Sequence, residues 1–318
     1  MMKMQMNKRV YGVIGIKAVM ANWNADFTGN PKTTGNGEIF GSDKALKFPM
    51  KKLWERQGEK VIYTRSYTIN EKEQKMIPRA LKERYQQLFE EKVDAKTPTR
   101  EVLKNLFSAV DVMNFGATFA EEGQNIGITG AVQFGQGFNK FMGASVEVQD
   151  ILSPFRNPNG KDGEDRQQAS IGKKIVCDEA HYFYPFSVNP QNYDDYKGIA
   201  EGFEGYTLEA YEKFKEAALV AATAYNTNSK FGCENEFALF VELKEGEKLY
   251  LPDLAQYVEF YRADGKGIID LSKMGVLCTD RVKAAIEKIE LYYNPYTTEV
   301  KSDFSATKMN LFTKEVIA

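Results

Sequence analysis

Val10-Tyr11-Gly12-Val13-Ile14-Gly15-Ile16-Lys17-Ala18-Val19-Met20 is the first apolar run of the chain. It is rich in β-branched residues, and it is too short and too broken by glycine for a good helix, so it reads as a central strand. A long polar loop follows, residues 22–41, full of Asn, Gly and Thr and containing Pro31. Loops of this length are uncommon, and they are usually functional or disordered. Ser42 and Asp43 then cap a helix that begins near Lys44 and is interrupted or re-phased at Pro49.

Further along, Lys60 to Thr64 reads as a second strand. Glu71 to Val93 reads as a helix with Ile77, Leu81, Tyr85, Leu88 and Phe89 on one stripe. Thr97-Pro98 gives an N-cap and a first-turn proline for a helix through Val102, Leu103, Leu106, Phe107 and Val110. Strand signals come in quick succession at Asp111 to Phe119, Ile128 to Phe134, Ser145 to Leu152 and Ile175 to Phe186. Between the last two, residues 153–174 hold Asn157-Pro158-Asn159-Gly160 and few large apolar residues, which predicts an exposed, mobile projection. Thr207 caps a helix from Leu208 to Tyr225, and Glu236 to Leu243 alternates as a strand. The remainder reads as a short helix over Leu254 to Tyr261, a strand over Ile268 to Leu271 and a helix over Arg281 to Tyr292. Stripped of insertions, the order is β-α-β-β-α-β, an α+β fold of the RRM-like or ferredoxin-like kind. Such sheets often bind RNA, but the fold by itself does not decide function.

The 318 residues, 43% of them hydrophobic and 13% aromatic, are enough for a sizeable core. The length points to one core with large insertions, or to one core plus a subdomain. No apolar run approaches the ~20 residues that cross a bilayer. The start, Met1-Met2-Lys3-Met4-Gln5-Met6-Asn7-Lys8, has no signal-peptide pattern, so a cytoplasmic location is expected. Cys177, Cys233 and Cys278 lie far apart without C-x-x-C spacing, which suggests neither a zinc site nor a disulfide framework. His181 is the single histidine, so any histidine-based relay or metal site would have to be built on it. In the run His181-Tyr182-Phe183-Tyr184 it reads as a packed or half-exposed strand residue. The net charge of −2 announces no global positive field, although a basic stripe can be offset by an acidic face elsewhere.

Two features suit an anionic partner. Lys44, Lys47, Lys51 and Lys52 recur at three- and four-residue steps behind Gly41-Ser42, so a helix would show them as a basic stripe beside its own N-terminal amides. That is either a phosphate cradle or a solvated helix face. The run Gly127-Ile128-Thr129-Gly130-Ala131-Val132-Gln133-Phe134-Gly135-Gln136-Gly137-Phe138-Asn139-Lys140 lacks the third glycine and the following helix of a dinucleotide fingerprint. Its glycines allow tight turns or the close approach of another backbone, nucleic acid included, with Phe134 and Phe138 either stacking or packing. For catalysis, Asp26 in the first loop is the only acid to name, and it has no evident base or metal partner. No catalytic residue, metal ligand or cofactor is assigned.

Phe115-Gly116-Ala117-Thr118-Phe119 followed by Ile126 to Asn139 resembles the "FGATF … ITGxVQFxxGxxxN" pattern. That pattern marks the backbone subunit of type I CRISPR interference complexes (Cascade), particularly the I-B form called the Csh-two family, within the RAMP superfamily. Gly41-Ser42-Asp43-Lys44-Ala45-Leu46-Lys47 resembles the family's helix start. Ser170-Ile171-Gly172-Lys173-Lys174-Ile175-Val176, followed by Tyr182-Phe183-Tyr184, resembles its glycine-basic-basic strand entry. The first loop departs from the family's Asn-Pro-Asn-Gly-Asp, reading Asn22-Trp23-Asn24-Ala25-Asp26. The resemblance implies an RRM-like palm, a helical fingers region over 42–110 and a thumb-like projection over 153–174. It implies a protein that binds guide RNA (crRNA), stacks with copies of itself and with other Cascade subunits, and meets target DNA through the guide's bases. The RNA-binding residues it suggests are Ser42, Lys44, Lys47, Lys51, Gly135, Gly137, Asn139, Lys173 and Lys174. Related subunits of type III complexes cut target RNA with a first-loop aspartate, which makes an endonuclease using Asp26 the alternative.

Overall fold

The central strand β1 spans Val10–Ala21, and the computed structural model describes residues 4–156 and 168–317 around it. Val10, Val13, Ile14, Ile16 and Ala18 are all fully buried. Successive strand residues point to opposite faces, so both faces of the sheet must be covered. The palm is completed by helix α1 (Asp43–Arg56), strands β2 (Val132–Phe134), β3 (Gly137–Asn139), β4 (Val146–Arg156) and β5 (Gln168–Val188), helix α2 (Leu208–Ala224) and strand β6 (Cys233–Leu243). β1 lies between β5 and β6, antiparallel to both, and β2 and β3 pair with the outer side of β5. This is the β-α-β-β-α-β sheet read from the sequence, with its second strand split in two. β7 (Ile286–Tyr293) and β8 (Thr307–Asn310) extend the sheet beyond β6.

Helices α1 and α2 cover one face, where Leu46, Met50, Trp54, Phe214 and Ala218 join Ile14 and Ile16 in one core. Residues 249–306 cover the other face, placing Leu254, Phe260, Ile269 and Leu277 against Val13, Phe183, Leu239 and Val241. That layer contains a small sheet of Glu259–Ala263, Lys266–Asp270 and Thr298–Lys301. Among the described residues no helix is long and apolar enough to cross a membrane.

Several expectations change in physical detail. Glu71 to Val93 is a hairpin, Tyr67–Asn70 with Lys75–Pro78, followed by a helix over Leu81–Phe89 alone. Pro78 lacks the amide a helix interior needs, and Ile77, the first residue of that stripe, lies on the hairpin instead. Lys60 to Thr64 is not a strand: the amides of Ile62 and Tyr63 are taken by the buried Asp111 carboxylate, at 3.0 and 2.8 Å. Asp111 to Phe119 divides into a helical turn, Val110–Phe115, and a strand, Gly116–Phe119, with Gly116 between them at φ 78°. Arg281 to Tyr292 is mostly β7, because its apolar run completes the edge of β6. Leu254 to Tyr261 divides into a single 3₁₀ turn, Leu254–Tyr257, and the start of the strand Glu259–Ala263. α1 runs unbroken through Pro49. Of the projection expected over 153–174, residues 157–167 lie outside the described residues; the flanks are the paired strands β4 and β5.

His181 on β5 is buried, as its aromatic run implied, and it joins the palm to the covering layer. Its Nδ1 lies 2.8 Å from Glu236 and its Nε2 2.8 Å from Glu179, while its ring stacks on Phe260 at 3.6 Å. Glu179 in turn accepts from Arg262 Nε at 3.0 Å. Burial alone would lower the imidazole pKa, but the Glu236 and Glu179 carboxylates outweigh it and hold the value above the ordinary 6.5. With the folded value raised, this contribution to stability is fully present below about pH 6.5 and is lost as pH rises through the folded value. We therefore expect urea-unfolding stability to fall as pH rises from below about 6.5 through the raised folded value. The His181→Gln variant should lack that component, and an identical fall in the variant would contradict the charged arrangement.

Candidate nucleic-acid interface

The N-terminus of α1 is built by its neighbours. Ser42 Oγ accepts from the Ala45 amide at 3.3 Å, and the Ser42 amide donates to Asn24 Oδ1 at 2.8 Å. The amides of Asp43 and Lys44 have no acceptor among the described residues, which leaves two helix-end donors open to solvent or to an anion. Lys44 is exposed beside them.

Lys44, Lys47 and Lys51 share one face of α1, whereas Lys52 turns away to pair with Glu55 at 2.7 Å. The three differ in how free they are. Lys47 pairs with Asp43 at 3.0 Å and lies over the Phe115 and Phe134 rings. Lys51 donates to the Tyr63 carbonyl at 3.3 Å and also lies over Phe115. Burial lowers the Lys51 pKa, with the Asp111 carboxylate opposing the fall. The stripe therefore grades from an exposed cation at Lys44 to an embedded one at Lys51.

Gly41, at the end of the first loop, pairs with Gly137 across the short contact of Phe40–Gly41 with β3. A Cβ on either glycine would overlap the Tyr184 side chain, so these glycines let two backbones close on one buried ring. Tyr184 Oη accepts from Trp23 Nε1 at 2.6 Å. Lys230 Nζ donates to the Asn22 carbonyl at 2.9 Å and to that of Trp23, over whose ring it also sits, and burial pulls its pKa down to about 8. Between β2 and β3 the chain takes four steps, Phe134 to Phe138, against three on β5, Phe186 to Phe183. The extra residue makes a bulge at Gly135-Gln136 next to the end of α1, and Gly135 packs on Pro185.

Ser42, Lys44, Lys47, Gly135 and Gly137 thus come together, with Lys51 one turn further along α1. Asn139 does not join them: its Oδ1 accepts from the His181 and Phe141 amides and its Nδ2 donates to the Phe141 carbonyl. Lys173 and Lys174 stand on the β4–β5 arm opposite Asp150 and Gln149. Their link to the first loop is the adjacent Ile175, whose carbonyl accepts from Asn22 Nδ2 at 3.2 Å. Asp26 Oδ1 accepts from Thr28 Oγ1 and from the amides of Thr28 and Asn30, and these bonds, the Thr28 hydroxyl first, lower its pKa. Sequence reasoning missed the Trp23–Tyr184–Lys230 clamp. Its one signal was a lone tryptophan in a polar loop.

A palm in the order β6-β1-β5 with the split strand outside, α1 and α2 on one face, and an open helix end beside a glycine bulge defines an RRM-like α+β protein. Residues 8–275 match the family described as CRISPR-associated protein Cas7, and the chain belongs to that family. No curated protein matches it. Among solved structures, a chain from "CRISPR RNA-guided surveillance complex, pre-nicking" shares the fold with a TM-score of 0.53 and 14% identity, over 93% of this chain and 96% of the other. A chain from "CRISPR RNA-guided surveillance complex" gives a TM-score of 0.46 and 16% identity, over 92% of this chain and 95% of the other.

The close approach to Tyr184 has a direct consequence for stability. Gly137→Ala should cost about 1–3 kcal/mol in urea unfolding through overpacking. Gly127→Ala, where an added Cβ meets nothing within 4 Å, should leave stability unchanged. Equal midpoints for the two variants would show that the Tyr184 contact is not constraining.

Proposed function

We propose that this chain is the backbone subunit of a type I, I-B-like interference complex, coating a guide RNA in repeated copies and cutting nothing itself. The observation that carries the reading is the α1 end: two open amides, an exposed Lys44 and a glycine bulge on the edge of an RRM-like palm. Such a surface takes phosphates without reading bases, which suits a protein that must accept any guide sequence. The guide's bases then pair with target DNA, while the protein holds the backbone. In this reading residues 42–110 act as fingers, 153–174 as a thumb, and neighbouring copies and other Cascade subunits complete the assembly in the cytoplasm. Membership of the Cas7 family and the shared fold support it.

Asp26 is given no catalytic role, because its Oδ1 already accepts three hydrogen bonds that close the turn. The test is filter binding to single-stranded RNA across a salt series, with a magnesium-containing arm that carries labelled complementary RNA. Binding should weaken steeply with salt, and Lys44→Ala should reduce the slope by about 0.7 with an unchanged melting curve. A salt-independent affinity would end the phosphate-cradle reading. Regularly spaced RNA products that vanish in Asp26→Ala would establish the endonuclease instead.

A further inference from the structure

A tight turn early in the first loop carries a side chain, Phe27, that nothing among the described residues covers. Phe27 is more exposed than any other large apolar residue among those described. Its setting is nevertheless firm. The Asp26 amide donates to the Asn30 carbonyl at 2.8 Å, the Gly29 amide donates back to Asp26, and Asn30 Nδ2 donates to Thr28 Oγ1 at 2.8 Å. Together with the three bonds to Asp26 Oδ1, these close a tight turn around Phe27. The base of the loop is fixed by Lys230 and by the Trp23–Tyr184 bond. A turn held this tightly at both tip and base presents the ring at a set position.

The surroundings say what the ring can meet. Its chain neighbours Ala25, Asp26, Thr28 and Asn30 are small or polar and exposed, so they leave both faces of the ring free of apolar cover from the turn itself. The same loop leads directly to the α1 end: the Lys32 amide donates to Asn24, the Phe40 amide donates to Lys32, and the Asn24 side chain holds Ser42. Lys32 also lies over the half-exposed Phe40 ring, itself 6.0 Å from Phe138. Phe27 is three residues from Asn24, at most about 10 Å along the chain. A strand whose phosphate rests on the α1 end therefore has its adjoining nucleotides within reach of the ring.

We propose that Phe27 is a base-stacking residue: it receives one unpaired nucleobase of the single strand whose backbone is held at Ser42 and Lys44. The inference rests on the RNA-binding reading above and adds a contact of different physics. Stacking is indifferent to base identity and adds no phosphate contact, so it changes affinity without changing the counterions released.

The experiment uses the full chain and a single-stranded RNA carrying 2-aminopurine at successive positions, titrated over a salt series. Phe27→Ala should weaken binding roughly 5- to 100-fold at every salt concentration, leave the salt slope unaltered and abolish 2-aminopurine quenching. Phe27→Trp should retain both affinity and quenching, and the melting curves of all three proteins should coincide. Unchanged affinity and quenching in Phe27→Ala would overturn the proposal. So would unchanged affinity for one copy combined with loss of ordered multi-copy assembly, which would assign Phe27 to a neighbouring protein surface. If the unaltered protein fails to bind RNA, the reading beneath the proposal falls as well, and that outcome is visible before any variant is made.

Discussion

The Tyr184 side chain, buried between Gly41 and Gly137 with its hydroxyl 2.6 Å from the Trp23 indole nitrogen, is the contact on which the rest of the surface depends. It ties together the start of the first loop, the end of that loop and the split outer strand. From that point the directions of the open surface follow. Gly41 delivers the chain into Ser42, so the helix end opens beside the bulge at Gly135-Gln136. Asn24 is placed to hold the Ser42 amide, and Phe27 in the same loop is left exposed. A hydroxyl bonded to an indole inside an apolar core is costly to leave unpaired, so this arrangement resists change from either side.

The electrostatics follow the same economy of placement. A chain with a net charge of −2 cannot attract nucleic acid by its overall field. What it shows instead is a graded row on α1, where Lys51 is embedded against Tyr63 and Asp111, Lys47 is paired with Asp43, and Lys44 is open. The embedded members shape the aromatic floor of Phe115 and Phe134, and the open one faces whatever anion meets the helix end. On the far face of the sheet the opposite solution appears. There His181 is enclosed by Glu179 and Glu236 and stacked on Phe260, and charge serves to fix the covering layer.

The palm was legible because its strands and helices carry their own pattern. β1, α2 and β6 follow from apolar runs and from Thr207 as a cap, and their order alone gives the RRM-like sheet. The misread segments are those whose backbone is satisfied by distant groups. Lys60 to Thr64 has strand composition, but its amides bond to Asp111 some fifty residues away. Residues 286–293 carry helical spacing, but they complete the edge of β6. The same limit applied at the site. Lys44 could be found from spacing, and Gly41 and Gly137 from the family pattern, whereas the engagement of Asn139 by the His181 amide and the burial of Lys51 depend on contacts no local pattern encodes.

If the RNA backbone rests on the open end of α1, as proposed, amide hydrogen exchange will report it. The Asp43 and Lys44 amides have no acceptor among the described residues, so they should exchange fast in the free protein. On addition of single-stranded RNA at low salt, exchange across residues 42–48 should slow, and it should recover as salt is raised and the phosphates are released. RNA bound with these amides still exchanging at the free rate, or with protection confined to the layer of residues 249–306, would contradict the account.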